Sequence, residues 1–104
     1  MIEDLDREDI KAGLAAGNIL VVDVREPHEY VAGHIPGSVS FPLSTFDPRA
    51  LPSVPGKRTV FSCAAGMRSM QAAMAAQAAG VAIDAHYRGG FKDWLMAGEP
   101  VDRG

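Results

Sequence analysis

The one cysteine of the chain lies in a short stretch whose residues could carry out nucleophilic chemistry. Cys63 falls between a strand-like run, residues 59–62, and a helix-forming run, residues 68–79. A thiol at the junction of a strand and a helix lies beside unpaired backbone N–H groups and the positive end of the helix dipole, which together stabilise a thiolate. This position predicts that Cys63 is a nucleophile.

The residues that follow Cys63 are suited to binding an anion through the main chain. If they curl around the sulfur, successive N–H groups converge just outside it and form a nest for a thiolate, a persulfide or a bound oxyanion. Small side chains leave room for this backbone approach, and Gly66 can adopt the positive φ that a tight cradle needs. The predicted substrate-binding residues are Ala64, Ala65, Gly66, Met67, Arg68 and Ser69. We expect the sulfur to lie at the floor of a shallow bowl of amides and to be activated by them, without a partner base.

The alternation of strand-like and helix-forming runs indicates the elements that position this loop. The predicted strands are residues 19–24, 38–42, 57–62 and 81–87, and the predicted helices are residues 7–16, 27–32, 68–79 and 91–97, with one or two helical turns at most in the proline-rich segment 43–56. Asp6 and Asp9 form a predicted capping box for the first helix. Strands that alternate with helices predict an open, mainly parallel α/β sheet with helices on both faces.

The expected packing of the helices also follows from their spacing. Met70 and Met74 recur at helical spacing, which predicts that they fill the core beneath the sheet. Trp94 and Leu95 are predicted to anchor the last helix in the same way. Because ligands of parallel α/β sheets bind at the carboxyl ends of the strands, Asp23, Arg25 and Cys63 should share one rim.

Length, charge and cysteine content limit the class of protein. The 104 residues, 47% of them hydrophobic, are enough for one domain, which we expect to span residues 1–104. With 13 acidic and 10 basic residues and no basic face, nucleic acid is not an expected partner. The apolar stretch 72–83 is too short to cross a membrane. A single cysteine and a start without signal-peptide features predict the cytoplasm.

Three separated segments resemble single-domain rhodaneses, in the family's order. They are residues 23–38 (DVREPHEYVAGHIPGS), Cys63 to Ser69 (CAAGMRS), and the run from Gly89 to Pro100 with its Gly-Gly pair and tryptophan. The resemblance implies a rhodanese-like fold and a sulfurtransferase that needs no cofactor. It implies that Cys63 takes a sulfane sulfur from thiosulfate or a small-molecule or protein persulfide, becomes a persulfide, and passes the sulfur to cyanide or a thiol.

Other functions remain open at this stage. The similarly folded cell-cycle phosphatases and arsenate reductases resemble this chain, but their loop is one residue longer than the six residues from Cys63 to Arg68, and the phosphatases carry a histidine where this chain has Ser62. Some rhodanese-like domains are binding or regulatory modules without catalysis, and these often lack the cysteine. The short loop and the retained cysteine favour the sulfurtransferase.

The resemblance also assigns supporting roles. Asp23 and Arg25 match residues that brace the active-site rim, and we expect Arg68 to pair with Glu29 and tie the loop to the preceding layer. Ser69 is predicted either to cap the helix or to donate to the sulfur.

Two further expectations concern ligands. The loop carries no cation at Ala64 or Met67, where many thiosulfate-using members place one. This predicts weak affinity for thiosulfate and favours the persulfide of a protein or of a small thiol as donor. The histidines, His28, His34 and His86, show no metal-ligand spacing, so we expect surface or turn positions and no metal.

Overall fold

The structure, a computed structural model, describes residues 1–104 and contains one five-stranded sheet with helices on both faces. The elements in chain order are β1 (Glu3–Leu5), α1 (Arg7–Ala16), β2 (Ile19–Asp23), α2 (Pro27–Ala32), β3 (Val39–Ser40), two 3-10 turns (Leu43–Thr45 and Pro48–Ala50), β4 (Arg58–Ser62), α3 (Met67–Ala78), β5 (Ala85–Tyr87) and α4 (Gly90–Met96). None of the helices is both long and apolar enough to span a bilayer.

The five strands are parallel and stand in the order β1-β5-β4-β2-β3. All five residues of β2 are buried, which is why the four residues before Asp23 form an apolar run without alternation. Successive side chains of a strand point to opposite faces, so Val21 joins the core under α1 and α4, whereas Val22 joins the core under α3. The predicted parallel α/β sheet with helices on both faces is confirmed.

The strand β1 was not predicted. It has three residues, two of them carboxylates, and a strand this short gives no periodicity that could be recognised. It forms because β5 offers a parallel edge, with Asp4 beside His86 and Leu5 beside Tyr87. The last predicted strand, residues 81–87, is in fact shorter, because the N–H of Val81 still donates to Ala76 O (2.9 Å) at the end of α3.

Two predictions of core packing are wrong. Met74 on α3 and Leu95 on α4 are exposed, although Trp94 is buried as expected. The buried face of α3 consists of small residues, Ala72, Ala73 and Ala76, because this helix lies close against the sheet and long side chains fit only at its outer face.

One buried hydroxyl gives a prediction about stability. Ser62 Oγ has no hydrogen-bond partner, whereas the hydroxyl of Ser38, also buried, donates to Ile35 O at 2.7 Å. An unpartnered buried polar group costs about 1–3 kcal/mol, so Ser62→Ala should raise the free energy of unfolding by about 1 kcal/mol in urea titrations. The matched change Ser38→Ala should lower it by a similar amount. A loss of stability in Ser62→Ala would contradict the assignment.

Candidate active site

The loop that carries Cys63 is held between β4 and α3 and is fastened from a third side by α4. The N–H groups of Phe91 and Lys92 donate to Cys63 O (2.7 Å) and Ala64 O (3.0 Å). This approach depends on Gly90, which has φ +67°, since a Cβ there would lie 2.6 Å from both carbonyl oxygens. The second glycine of the Gly89-Gly90 pair therefore allows the start of α4 to form backbone hydrogen bonds with the loop.

The sulfur of Cys63 lies against the backbone at the start of α3. Gly66, at the N-cap with φ +92°, donates its N–H to Cys63 Sγ at 3.1 Å. The other amides of the loop and of the first helical turn, those of Ala64, Ala65, Met67, Arg68 and Ser69, have no acceptor within the protein. An N–H group on sulfur and free amides around it favour negative charge at this position.

The sulfur is less accessible than the sequence predicted. Cys63 exposes 1% of its surface and packs with the core under α3, so it does not lie at the floor of an open bowl. The loop covers the thiol, with the Gly66 N–H directed at the sulfur. Direct contact between a donor and Sγ therefore requires displacement of loop residues.

A polar chain leads from the sulfur into the sheet. Ser69 Oγ lies 3.4 Å from Cys63 Sγ and 2.8 Å from His86 Nδ1, and His86 Nε2 lies 2.7 Å from Asp4 Oδ1. Ser69 is the third residue of α3, so the helix is not capped by its side chain. The expectation that the histidines lie at the surface or in turns is wrong for His86, which lies on β5 and is 2% exposed. His34 lies just before a turn, as expected, but is also buried.

Sequence reasoning missed Asp4 and His86 as members of this site. Neither residue stands in a motif, and the two lie 82 positions apart. The one signal in the sequence was that His86 stands between Ala85 and Tyr87 near the end of a predicted strand. A strand with apolar residues on both sides of a histidine is typical of a sheet that is covered on both faces, so the histidine is a candidate for burial.

The predicted pairing of Arg68 with Glu29 is present and is bidentate. The two Nη atoms of Arg68 lie 2.7 and 3.0 Å from the carboxylate oxygens of Glu29, on α2. The hydrogen bonds from Arg68 lower the pKa of Glu29 to about 2 and, in return, raise the pKa of Arg68. The one cation of the loop is therefore directed to the neighbouring helix, where it ties the start of α3 to α2.

This ion pair predicts how stability depends on pH. The pKa of Glu29 lies at about 2 in the folded protein against an ordinary value of 4.5, so the pair stabilises the fold above about pH 4.5 and the contribution is lost as the pH falls towards 2. Glu29→Gln should therefore melt at a lower temperature than the unmodified protein at neutral pH, with the gap closing between about pH 4.5 and pH 2. The exposed Glu8→Gln serves as the control. A gap that is constant with pH would contradict the prediction.

Asp23 and Arg25 form a buried ion pair at the same rim of the sheet. The carboxylate accepts from Arg25 Nε and Nη2, the latter at 2.7 Å, and also from the Arg25 backbone N–H at 3.0 Å. The guanidinium donates to Gly33 O at 2.8 Å and lies 4.4 Å from the ring centre of Phe91. The pair thus connects β2, the end of α2 and α4, and neither residue contacts the sulfur.

The remaining loop side chains offer little to an anion. Ala65 and Met67 are exposed, and Ala64 is half-buried. Because none of them is charged, a substrate anion would meet backbone amides and methyl or thioether groups at this face of the loop.

The fold and the site define a class of protein in which a cysteine-containing loop follows the carboxyl end of a strand in a parallel sheet. Comparison with known proteins identifies the family within this class. The model of the Rhodanese-like domain family matches residues 6–97. The chain belongs to the rhodanese family.

Three similar proteins show how the family varies. An uncharacterized protein of Synechocystis is 43% identical over 80% of this chain, which spans only 46% of that protein's length. The thiosulfate:glutathione sulfurtransferase of Saccharomyces cerevisiae is 32% identical, over 93% of this chain and 81% of the yeast protein. A solved structure from Rhodopseudomonas palustris, of a protein of unknown function described as a possible tyrosine phosphatase, has a TM-score of 0.81 and 38% identity, over 97% of this chain and 85% of that one.

Proposed function

We propose that this chain is a sulfurtransferase that carries a sulfane sulfur on Cys63. The thiolate attacks the outer sulfur of a donor such as thiosulfate, the S–S bond of the donor breaks, and sulfite leaves with the electron pair. The terminal sulfur of the resulting persulfide is then taken by cyanide or a thiolate, and Cys63 leaves as a thiolate. All electrons are accounted for without a cofactor.

The observation that carries the proposal is the hydrogen bond from Gly66 N–H to Cys63 Sγ at 3.1 Å within a loop whose other amides have no protein acceptor. Such donors stabilise the negative charge of a thiolate before the transfer and of a persulfide after it. Family membership and the likeness to the yeast sulfurtransferase support the same reaction.

Two rival functions meet specific objections. The Rhodopseudomonas protein is described as a possible tyrosine phosphatase. A cysteine-based phosphatase needs space for a tetrahedral oxyanion above the sulfur. The loop of this chain has six residues from Cys63 to Arg68, one fewer than the phosphatase loop that provides this space. The covered sulfur itself favours neither function, because a sulfur donor must displace the same loop residues to reach it. A binding module without catalysis would require neither the cysteine nor the polar contacts of its sulfur.

Intact-mass measurement tests the proposal. Incubation with thiosulfate, glutathione persulfide or a persulfidated protein, followed by removal of the donor, should leave one added sulfur atom on the protein, which cyanide then strips off. Cys63→Ser should gain none. An equal gain on Cys63→Ser would place the chemistry at another residue, and no gain with any sulfane donor would favour the binding module.

The absence of a cation at Ala64 and Met67 leads to a prediction about thiosulfate. We propose weak affinity for this dianion, with a persulfidated protein or a small thiol persulfide as the physiological donor and the cytoplasm as the compartment. Ala64→Arg should lower the half-saturating thiosulfate concentration about fivefold, because a guanidinium adds a charge-assisted hydrogen bond to the sulfonate. Ala64→Gln, which adds bulk without charge, is the control. Equal saturation curves for Ala64→Arg and the unmodified protein would remove this explanation.

A further inference from the structure

The polar neighbours of the Cys63 sulfur leave one path for its proton. Gly66 N–H, 3.1 Å from Sγ, can only donate a hydrogen bond. Ser69 Oγ, at 3.4 Å, is the one neighbouring atom that can accept the thiol hydrogen. A proton that leaves the sulfur in the closed loop therefore passes to Ser69.

The next step of the path follows from the contacts of His86. Its Nε2 faces Asp4 Oδ1 at 2.7 Å, and an ionised carboxylate only accepts, so Nε2 carries the ring hydrogen of the neutral imidazole. Nδ1 is then an acceptor, 2.8 Å from Ser69 Oγ. Because Ser69 has one hydroxyl hydrogen and its other acceptor, Gly66 O, is farther away at 3.2 Å, that hydrogen lies on the His86 side. The S–H and O–H hydrogens thus point from the sulfur towards the histidine, and the Nε2 hydrogen points on to Asp4.

The burial of the sulfur and of its neighbours limits proton exchange to this hydrogen-bonded path. Cys63, Ser69 and His86 are 1%, 0% and 2% exposed, so none of them can exchange a proton freely with water. The Asp4 side chain is 47% exposed, which places one end of the chain at the surface. A hydrogen-bonded path in a low-dielectric interior holds a proton more firmly than the same groups would in water.

We propose that His86, oriented by Asp4, accepts the proton of the Cys63 thiol through the hydroxyl group of Ser69. The S–H proton bonds to Ser69 Oγ while the hydroxyl proton of Ser69 bonds to His86 Nδ1, and the electron pair of the S–H bond stays on sulfur. Ser69 then donates to the thiolate, and the imidazolium donates to Ser69 and Asp4. His86 is a positioning residue, since it acts on the reacting sulfur through Ser69.

The elements packed against His86 are β1, β4 and α3, which contribute titratable and charged groups near its ring. Asp4 on β1 is in direct contact, and β4 contributes the apolar Phe61 beside it and the ionisable Cys63 beyond its end. On α3, Arg68 precedes Ser69 and is paired with Glu29. Arg88, two residues along the chain, is exposed. Asp4 is therefore the one charged group that contacts the ring.

The thiolate absorbance of Cys63 measures the proton transfer without any sulfur donor. It is recorded from about pH 5 to about pH 10, the range in which imidazoles and thiols titrate, with Cys63→Ser as the blank. His86→Asn keeps an acceptor near Ser69 but removes the base, and its midpoint should move upward by about one pH unit, a tenfold loss of thiolate at lower pH. Asp4→Asn should move it in the same direction by less. His28→Asn, at an exposed position, should superimpose on the unmodified protein.

Two further measurements test the proton path if His86→Asn folds poorly. Nitrogen NMR of the histidines should show that the doubly protonated form of His86 persists to higher pH in the unmodified protein than in Cys63→Ser, because the thiolate stabilises it. Sulfur loading by Asp4→Asn should be slower at neutral pH and recover at alkaline pH. Identical thiolate midpoints for Asp4→Asn and the unmodified protein, or identical His86 titrations with and without the thiol, would overturn the proposal.

The proposal takes from the proposed function only that Cys63 is the reacting sulfur. A protein whose thiolate depends on His86 but which takes up no sulfur would refute the sulfurtransferase and leave the proton path intact. A protein that loads sulfur equally well at every pH with and without His86 would refute the proton path alone.

Discussion

Gly66→Ala should abolish most of the sulfur loading of Cys63. Gly66 has φ +92°, a conformation that costs an alanine about 1–2 kcal/mol, and an added Cβ would overlap the carbonyl oxygen of Arg88. The backbone must then move, and the N–H that donates to Cys63 Sγ moves with it. We expect a loading rate at least about a hundredfold lower, since removal of one such donor costs 10²–10³ in comparable sites, measured by the time course of the added sulfur mass.

A matched glycine separates this effect from backbone strain. Gly80, beyond the end of α3, has φ +82° and nothing within 4 Å of its added Cβ. Gly80→Ala should therefore lose a similar free energy of unfolding from conformation alone, about 1 kcal/mol, and keep its loading rate. If Gly66→Ala loads sulfur as fast as Gly80→Ala, the Gly66 amide has no role in the reaction.

Asp23→Ala should produce the largest loss of stability. The guanidinium of Arg25 is almost fully buried between β2 and α4, and its counter-charge is Asp23, with Nη2 to Oδ2 at 2.7 Å. Removing one partner of a buried pair leaves an uncompensated charge and costs about 3–5 kcal/mol. Urea unfolding should show this loss. The free energy of unfolding of Asp23→Asn, which keeps the shape of the side chain, should lie between those of Asp23→Ala and the unmodified protein.

The exposed pair of Arg49 and Asp47 provides the control for burial. Arg49 Nε lies 3.4 Å from Asp47 Oδ1, and both side chains are exposed to water. Asp47→Ala should therefore change the free energy of unfolding by less than about 1 kcal/mol. A similar effect for Asp23→Ala would show that the buried pair braces nothing.

Local patterns in the sequence were sufficient for much of this fold. The capping box of Asp6 and Asp9 is formed, and α1 begins and ends where it was predicted. These features depend on neighbours in the chain and so leave a trace in spacing. The exposed Met74 shows the limit of such patterns, because the distance between a helix and its sheet decides which of its faces accepts only alanine.

Three features could be recognised from the amino-acid sequence without coordinates, since each is a property of contiguous segments. They are the position of Cys63 at a strand-to-helix junction, the six-residue loop to Arg68 and the membership of the rhodanese family. That the thiol is covered, and that Ser69, His86 and Asp4 form a hydrogen-bonded chain from it, became apparent only from the three-dimensional arrangement. Those two residues meet because a three-residue edge strand pairs with β5, and the pairing depends on hydrogen bonds between segments far apart in the chain.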